Sequence, residues 1–214
     1  MILQMFTVGS LGTNCYLVGC PQTNEAAVID PGGDADLILG EARRLGLKIT
    51  QIILTHGHFD HIAALRAVHQ ATSAPIAIHP ADAPMLTDPR RSFAFWIGNF
   101  QPSPPADVLL NAGDVVHIGR TVQLSVRHVP GHSPGGIALV ATGVVFSGDA
   151  LFAGSIGRTD FPGGSYRQLI ASIQAQLLTL PDDTVVYPGH GPLTTIGEER
   201  RYNPFLQSEQ PELG

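Results

Sequence analysis

One short segment constrains this chain more than any other feature of its sequence. The apolar run at positions 52–54 is followed by Thr55-His56-Gly57-His58-Phe59-Asp60-His61, so four side chains able to bind a metal fall within six residues. The intervening glycine permits a backbone turn that brings the imidazoles together, and imidazole and carboxylate groups are ligands that Zn²⁺ and Fe²⁺ accept. On such a turn the first two ligand side chains face one way and the last two face another. The segment therefore predicts two metal ions rather than one.

Three glycine-rich turns offer further ligands from distant parts of the chain. His132, Asp149 and His190 each lie beside a glycine at the end of an apolar run. A Gly-Asp pair taken alone is most often only a turn. Taken together with the first segment, the three turns predict additional ligands, because two metal ions need about this many.

Short apolar runs alternate with helical patterns along the chain, which predicts an α/β fold with helices covering sheets. The predicted strands are Ile2–Val8, Cys15–Val18, Glu25–Asp30, Thr50–Thr55, Pro75–His79, Asp114–Ile118, Arg120–Val129, Gly136–Ala141, Val144–Ser147 and Thr184–Tyr187. The predicted helices are Asp34–Leu45, Asp60–Ala71, Tyr166–Thr179 and Thr195–Arg201.

The two halves of the chain share one order of elements. Each half runs strand, strand ending in Asp, helix, strand ending in His, with Asp30 and His56 in the first half and Asp149 and His190 in the second. The similarity is too loose to define a repeat. It indicates a duplicated unit with polar residues at matching strand ends, where ligands gather in α/β folds.

Composition excludes several classes of protein. The chain of 214 residues is 43% hydrophobic and 14% charged, which excludes intrinsic disorder. Its net charge of −6 leaves no basic excess for nucleic acid. Cys15 and Cys20 are too few for a disulfide framework, and we interpret them as buried free thiols. We see neither a signal peptide nor an apolar run long enough for a membrane helix, so we expect a soluble, cytoplasmic protein with no membrane contact.

Together these motifs resemble the metallo-β-lactamase superfamily. Within it, Gly131–Gly135 and Ser147–Phe152 resemble glyoxalase II, a hydroxyacylglutathione hydrolase, and Gly154–Gly164 is similar to the short, single-domain bacterial branch of that group. The resemblance extends over nearly the whole chain. It implies one hydrolase domain over residues 1–214 with a four-layer αβ/βα sandwich fold.

The resemblance also implies a ligand set. It assigns one metal to His56, His58 and His132, a second to Asp60, His61 and His190, and a bridging position to Asp149. Asp30 matches a strand-end Asp of the family, which implies that it orients a metal ligand. The alternative for Asp30 is a plain turn before Pro31. Two divalent ions are expected, with zinc favoured and iron or manganese also compatible with these ligands.

The reaction implied is hydrolysis of a small-molecule thioester such as S-D-lactoylglutathione to a 2-hydroxy acid and a free thiol. A water activated between the two cations would attack the carbonyl carbon, and Asp60 would accept a hydrogen bond from that nucleophile as well as bind metal. A thiol has a pKa near ~8.5, so a thiolate can leave without a strong general acid.

Substrate contacts are less defined than the ligands. Arg158 matches a basic residue of the family near a glutathione carboxylate, and the alternative is a surface ion pair with Asp160. Thr159 and Asp160 stand where the family has a Lys/Arg-x-Tyr pattern, and we find no match to the C-terminal helical domain of the longer glyoxalase II enzymes. We therefore expect weak glutathione binding or a different thiol carrier.

Other functions remain open at this point. A persulfide dioxygenase would use one Fe(II) held by His56, His132 and Asp149. A lactone or β-lactam hydrolase would use the same metal pair. A non-enzymatic metal-holding module, coupled to a flavodoxin, is disfavoured because no flavodoxin-like extension follows. The presence of all seven ligand side chains, and of Pro162-Gly163-Gly164, favours the thioester hydrolase.

The aromatic and proline-rich segment Leu86–Asp107 has two interpretations. It is either an irregular insertion packed on the core, or a lid or dimer contact, since clustered aromatic residues mark interaction surfaces. A monomer and a homodimer both remain compatible with the sequence. The remaining histidines, His69, His79, His117 and His128, are interpreted as structural or surface residues.

Overall fold

The computed structural model of the protein describes residues 1–97 and 101–207. The strands are β1 (Ile2–Val8), β2 (Thr13–Gly19), β3 (Glu25–Ile29), β4 (Lys48–Ile53), β5 (Ile76–Ile78), β6 (Val108–Leu109), β7 (Val115–Ile118), β8 (Val122–His128), β9 (Ile137–Ala141), β10 (Val144–Gly148), β11 (Leu151–Phe152), β12 (Ser155–Ile156), β13 (Val185–Pro188) and β14 (Thr194–Thr195). The α-helices are α1 (Ala35–Arg44), α2 (Phe59–Ile62), α3 (Leu65–Thr72), α4 (Tyr166–Ser172), α5 (Ile196–Tyr202) and α6 (Pro204–Gln207). Two 3-10 turns cover Ala83–Leu86 and Ala94–Ile97, and a π-helical turn over Ile173–Leu177 continues α4.

Two six-stranded sheets form the centre of the molecule. The first has the order β1-β2-β3-β4-β5-β6, and the second has the order β14-β13-β10-β9-β8-β7. Their central strands are buried on both faces, which explains why they read as nearly continuous apolar runs rather than as alternating patterns.

Three apolar clusters separate four layers. One cluster packs α1 and α3 on the first sheet through residues such as Ile38 and Val68. A second fills the space between the sheets, where Tyr16 of the first meets Phe146 of the second with ring centroids 5.1 Å apart. The third packs α4 and α5 on the second sheet through residues such as Leu169. The predicted four-layer αβ/βα sandwich is confirmed.

The shared order of the two halves is visible in the topology. In the first half β2 pairs antiparallel with β3, and β3 pairs parallel with β4 across α1. In the second half β9 pairs antiparallel with β10, and β10 pairs parallel with β13 across α4. Because parallel neighbours end at the same edge of a sheet, the Asp and His that follow each pair are brought together.

Several elements differ from the sequence prediction. The predicted helix Asp60–Ala71 is divided into α2 and α3, and the Ala64 N–H at the break donates to the Pro31 carbonyl rather than to its own helix. The sequence analysis did not predict the two-residue strands β6, β11, β12 and β14 or the helix α6, because two to four residues carry too little periodicity.

Cys15 and Cys20 are buried free thiols, as predicted. Within the described residues, no helix has the length and apolar character needed to cross a bilayer.

We expect Leu124→Ala to lower the free energy of unfolding by about 2–5 kcal/mol, because it leaves a cavity between the sheets. Leu124 is fully buried, whereas Leu109 at the sheet edge is 52% exposed. The matched variant Leu109→Ala should cost less than about 1 kcal/mol. Urea denaturation of both variants measures the difference, and equal losses would contradict the packing described between the two sheets.

Candidate metal centre

Side chains predicted to bind the metals or to orient their ligands come together at one edge of the two sheets. Asp30 follows β3, His56 follows β4, Asp149 follows β10 and His190 follows β13. His190 forms an antiparallel bridge with Thr13 at the start of β2, and this bridge joins the second sheet to the first at this edge. All four side chains therefore approach the centre from strand ends, held by the sheets behind them.

A first group contains three histidines. His56, His58 and His132 have ring centroids between 4.6 and 4.8 Å apart, and one ring nitrogen from each lies within 4.8 Å of the others. The Nε2 atoms of His56 and His132 are 3.3 Å apart. All three side chains are buried. The structure thus brings together the three residues assigned to one metal by resemblance.

A second group contains Asp60, His61 and His190, whose ligand atoms also lie within 4.8 Å of one another. The Nε2 atoms of the two histidines are 3.3 Å apart. Oδ2 of Asp60 is 3.1 Å from Nε2 of His190 and 3.6 Å from Nε2 of His61. This is the set that the resemblance assigns to a second metal.

Asp149 lies between the two groups. Its Oδ2 is 3.5 Å from Nε2 of His132 in the first group and 3.6 Å from Nε2 of His190 in the second. Its Oδ1 is 3.3 Å from Nε2 of His61 but is buried with no hydrogen-bond partner among the described residues. A buried carboxylate whose two oxygens face three imidazole nitrogens, and whose Oδ1 lacks a donor, fits a position shared by two cations.

Hydrogen bonds on the far side of the rings fix which nitrogens face the centre. Nδ1 of His132 lies 2.8 Å from the Arg158 carbonyl oxygen, which can only accept. Nδ1 of His61 lies 3.0 Å from a carboxylate oxygen of Asp30. In the neutral imidazoles Nδ1 therefore carries the proton, and the Nε2 lone pairs point inward. Lone pairs directed at a common centre are what a divalent metal requires.

The electrostatics of the centre also fit metal ligands. Burial, together with the neighbouring His132, lowers the pKa of His58 to about 3, so this ligand is neutral at physiological pH. Burial alone would lower the pKa of His61, but Asp149, Asp60 and Asp30 together raise it. A cation bound there displaces a proton, so its affinity rises with pH.

Asp30 supports the ligands from behind. Its carboxylate accepts hydrogen bonds from the Thr55 N–H at 2.8 Å and from the Thr55 hydroxyl at 2.6 Å, besides its contact with His61. Its own backbone has a φ of 52°, a left-handed conformation that Asp tolerates better than most residues. Asp30 also lies within reach of His56 and His61 as a third potential ligand group. Its contact with His61 is made to Nδ1, on the side of the ring away from the centre, and it stays our prediction that Asp30 orients a ligand.

Two polar residues near the centre had not been singled out from the sequence. Asp82 is fully buried and accepts from the Ser133 hydroxyl and the Gly135 N–H, both at 2.7 Å, and from the Gly57 N–H at 3.3 Å. It therefore joins the loop of His132 to the His-Gly-His turn.

Asn14 holds the loop of His190 in place, as Asp82 holds the loop of His132. Its amide donates to the Pro188 and Gly191 carbonyls, at 3.0 and 2.9 Å, on both sides of His190. Neither residue lies near a ligand in the sequence, so only the tertiary fold identifies them.

The centre forms the floor of a cavity of about 350 Å³. Phe93 stacks on Phe161 with ring centroids 4.3 Å apart, and both rings lie over His58, so part of the segment 86–107 forms a wall of this cavity. Phe100 of that segment lies outside the described residues. Arg158 also borders the cavity, but its guanidinium makes two hydrogen bonds of 2.8 Å to the carboxylate of Asp160. The surface ion pair with Asp160 is therefore present, and a substrate contact through Arg158 stays a prediction.

The remaining histidines lie outside the two ligand groups. His79 and His128 stack on each other with ring centroids 4.1 Å apart, and His128 also contacts the Pro134 carbonyl through Nε2 at 3.0 Å. His69 contacts the Ala74 carbonyl at 2.9 Å. His117 is exposed on β7. None of the four is part of a metal-binding cluster within the described residues.

Comparison with known proteins identifies the family of this chain. The sequence model of the metallo-beta-lactamase superfamily matches residues 8–190. The chain is 37% identical to the hydroxyacylglutathione hydrolase GloC of Haemophilus influenzae, over 98% of this chain and 100% of that protein. The protein belongs to the metallo-beta-lactamase superfamily, and its centre is that of a metal-dependent hydrolytic enzyme.

Two solved structures are similar over nearly the whole chain. The B3 metallo-beta-lactamase BLEG-1 is 41% identical with a TM-score of 0.91, covering 97% of this chain and 100% of that one. TTHA1623 in a di-iron-bound form is 39% identical with a TM-score of 0.85, covering 95% and 100%. The His and Asp groups described here, together with that di-iron neighbour, indicate that the centre holds divalent metal ions.

We expect His58→Ala and Asp149→Ala to lower the metal content of the purified protein from about two ions per chain to about one or fewer, because each removes a ligand group. Elemental analysis after dialysis measures this. His117→Ala removes an exposed imidazole outside the centre and should leave the metal content unchanged. Full metal content in either ligand variant would overturn the assignment of that residue.

Gly189→Ala should also reduce metal content, without removing any ligand. A Cβ at this position would overlap Oδ1 of Asp149, so the carboxylate or the His190 loop must move. Gly40→Ala in α1 is the matched control, because its Cβ meets only the flexible tip of Arg43 and helix propensity favours it by about 1 kcal/mol. A Gly189→Ala protein with the metal content of Gly40→Ala would contradict this packing.

Proposed function

We propose that the protein is a thioester hydrolase that cleaves substrates such as S-D-lactoylglutathione to a 2-hydroxy acid and a free thiol. The observation that carries the proposal is the convergence of seven ligand-type side chains, five of which border one aromatic-walled cavity. A cavity of about 350 Å³ is large enough for the acyl group and the adjoining part of a small substrate.

In this proposal two divalent cations are bound, zinc being favoured and iron or manganese accepted. His56, His58 and His132 would hold one of them, Asp60, His61 and His190 would hold the other, and Asp149 lies where it would contact both. When bound, such a pair supplies Lewis-acid polarisation of the carbonyl and lowers the pKa of water.

The side chains of the chain itself orient the reactants. The Arg158 carbonyl and the Asp30 carboxylate hold His132 and His61 with their Nε2 lone pairs inward. Asp60 borders the cavity, and its carboxylate has a lowered pKa because His61 and His190 outweigh the effect of burial. It can therefore accept a hydrogen bond from the attacking water, which aims an oxygen lone pair at the carbonyl carbon.

The leaving group favours a thioester over an amide. As the oxygen–carbon bond forms, the attacking water loses a proton to solvent. The carbon–sulfur bond then breaks, and the thiolate departs with its electron pair and takes a proton from solvent. Within the described residues, the ionisable side chains that border the cavity are already occupied: the His and Asp side chains face the centre, and Arg158 pairs with Asp160. Because none of these side chains is free to donate a proton, the cavity favours a leaving group that needs no proton from the enzyme.

The relatives support two candidate reactions. Similarity to GloC of Haemophilus influenzae favours the hydroxyacylglutathione thioester, and similarity to BLEG-1 favours β-lactam hydrolysis as a second candidate. A persulfide dioxygenase that uses one Fe(II) is the third. We place the thioester first because of the leaving group. We further propose a cytoplasmic location, one domain over residues 1–214, and a small molecule rather than a macromolecule as substrate.

The test is thiol release from S-D-lactoylglutathione by metal-loaded protein, followed with a thiol reagent. We expect turnover that chelation abolishes and that Asp149→Ala lowers by on the order of 10² or more. Parallel assays use a chromogenic cephalosporin, an acyl-homoserine lactone, and an oxygen electrode with glutathione persulfide.

Each assay has a decisive outcome, and turnover of the lactone faster than that of the thioester would select a lactone hydrolase. His117→Ala, which leaves the centre intact, should retain wild-type thiol release. Thiol release no faster than the uncatalysed rate by fully loaded protein would reject the proposal. Faster turnover of the cephalosporin would select the second candidate, and oxygen uptake with one iron per chain would select the third.

A further inference from the structure

A second groove adjoins the catalytic cavity. It has a volume of about 280 Å³, and its wall includes Pro84, Pro134 and Pro162 on the apolar side and Arg90 and Arg91 on the charged side. We call it the arginine groove. No carboxylate borders it within the described residues. It thus combines an apolar surface with two cations, in a chain whose net charge is −6.

Phe93 connects the groove with the catalytic cavity, because its side chain borders both. On the cavity side the ring lies 5.2 Å from His58 and stacks on Phe161. The backbone of Phe93 has a φ of 61°, which is rare and unfavourable for an aromatic residue. Such conformations persist where the surrounding structure holds them, and they cluster at ligand sites. A ligand that passes this ring contacts both spaces.

The charge of the groove is only partly neutralised. Arg90 is exposed and forms no ion pair with any described residue, and Arg91 makes a single exposed contact of 3.5 Å with Asp88. Arg158, the basic residue singled out from the sequence, is held in two hydrogen bonds by Asp160. The guanidinium groups available to an anion therefore lie in the groove rather than at Arg158.

We infer that the arginine groove binds the thiol-carrier arm of the substrate through its carboxylates, while the acyl group lies over the metal centre. This inference rests on the proposed thioester hydrolase function and adds the part of the substrate that the groove selects. The apolar wall contacts the aliphatic part of the carrier, and Arg90 and Arg91 bind its carboxylates. The occupant is thus a carboxylate-bearing, peptide-like thiol.

The experiment compares three thioesters of the same acyl group in metal-loaded protein. They are S-D-lactoylglutathione, its diethyl ester, and the uncharged N-acetylcysteamine thioester. We expect Arg90→Ala to raise KM for the charged thioester about five-fold, and the Arg90→Ala, Arg91→Ala double variant to raise it about ten-fold or more, with kcat nearly unchanged. KM for the diethyl ester and for the N-acetylcysteamine thioester should not rise in either variant, because neither substrate has the carboxylates that the arginines bind. Arg90→Lys should restore part of the loss.

Two controls separate recognition from structure. Arg120→Ala removes an exposed arginine outside the groove and should leave every KM unchanged. Raising the salt concentration should shrink the difference between wild type and Arg90→Ala, because the contact is solvent-exposed. The coenzyme A thioester tests whether phosphates replace carboxylates. A loss larger for that substrate than for the glutathione thioester would reject the carboxylate assignment.

Direct binding makes the inference testable apart from the reaction. Calorimetry with S-methylglutathione measures the Kd of wild type and of the double variant. A weaker Kd in the double variant supports the groove, and an equal Kd overturns it. The groove is rejected, and the proposed function is kept, if two results occur together. The wild type hydrolyses the N-acetylcysteamine thioester, and all variants have the same KM for S-D-lactoylglutathione. Wild type that hydrolyses no thioester rejects the proposed function, and calorimetry still decides the groove.

Discussion

Two pairs of imidazole nitrogens face each other at 3.3 Å, and the rest of the structure depends on this contact. His56 meets His132, and His61 meets His190. Two lone pairs that face each other in a buried place are unfavourable, so each pair needs either a proton on one of its nitrogens or a cation between them. The free energy of folding is therefore linked to metal binding, since a bound cation competes with the proton and stabilises this arrangement of the rings.

The architecture supplies this arrangement by building the same unit twice. In each half, a parallel pair of strands ends at the same edge of its sheet, so an Asp and a His emerge together. Packing the two sheets face to face brings the two edges into contact. Asn14 and Tyr16 of the first sheet donate to the carbonyl of Pro188 in the second, which holds the two halves in register beside the ligands. A site shared between halves needs such cross-links, because neither half holds a complete ligand set.

Much of the fold and of the centre could be predicted from the sequence because those signals are local. Buried parallel strands are apolar runs, and the ligand turns carry glycine beside His or Asp. Asp82 could not be recognised, because its role depends on Gly57, Ser133 and Gly135, which are distant in sequence. The break between α2 and α3 was missed for the same reason, since a hydrogen bond to Pro31 competes with the helix. Local patterns identify the ligands, and tertiary contacts decide what holds them.

Substrate choice is set by the loops and not by the metal ligands. One set of imidazoles and carboxylates can activate water toward a thioester, a lactone or a β-lactam, because all three present a carbonyl carbon. These three classes of substrate differ in their leaving group and in the shape of that group. The wall formed by Phe93 and Phe161 comes from loops outside both sheets, and such loops can vary without disturbing the ligands. The inferred role of Arg90 and Arg91 adds a requirement for negative charge on the part of the substrate that leaves. Loop residues, more than the metal centre, therefore distinguish the candidate reactions.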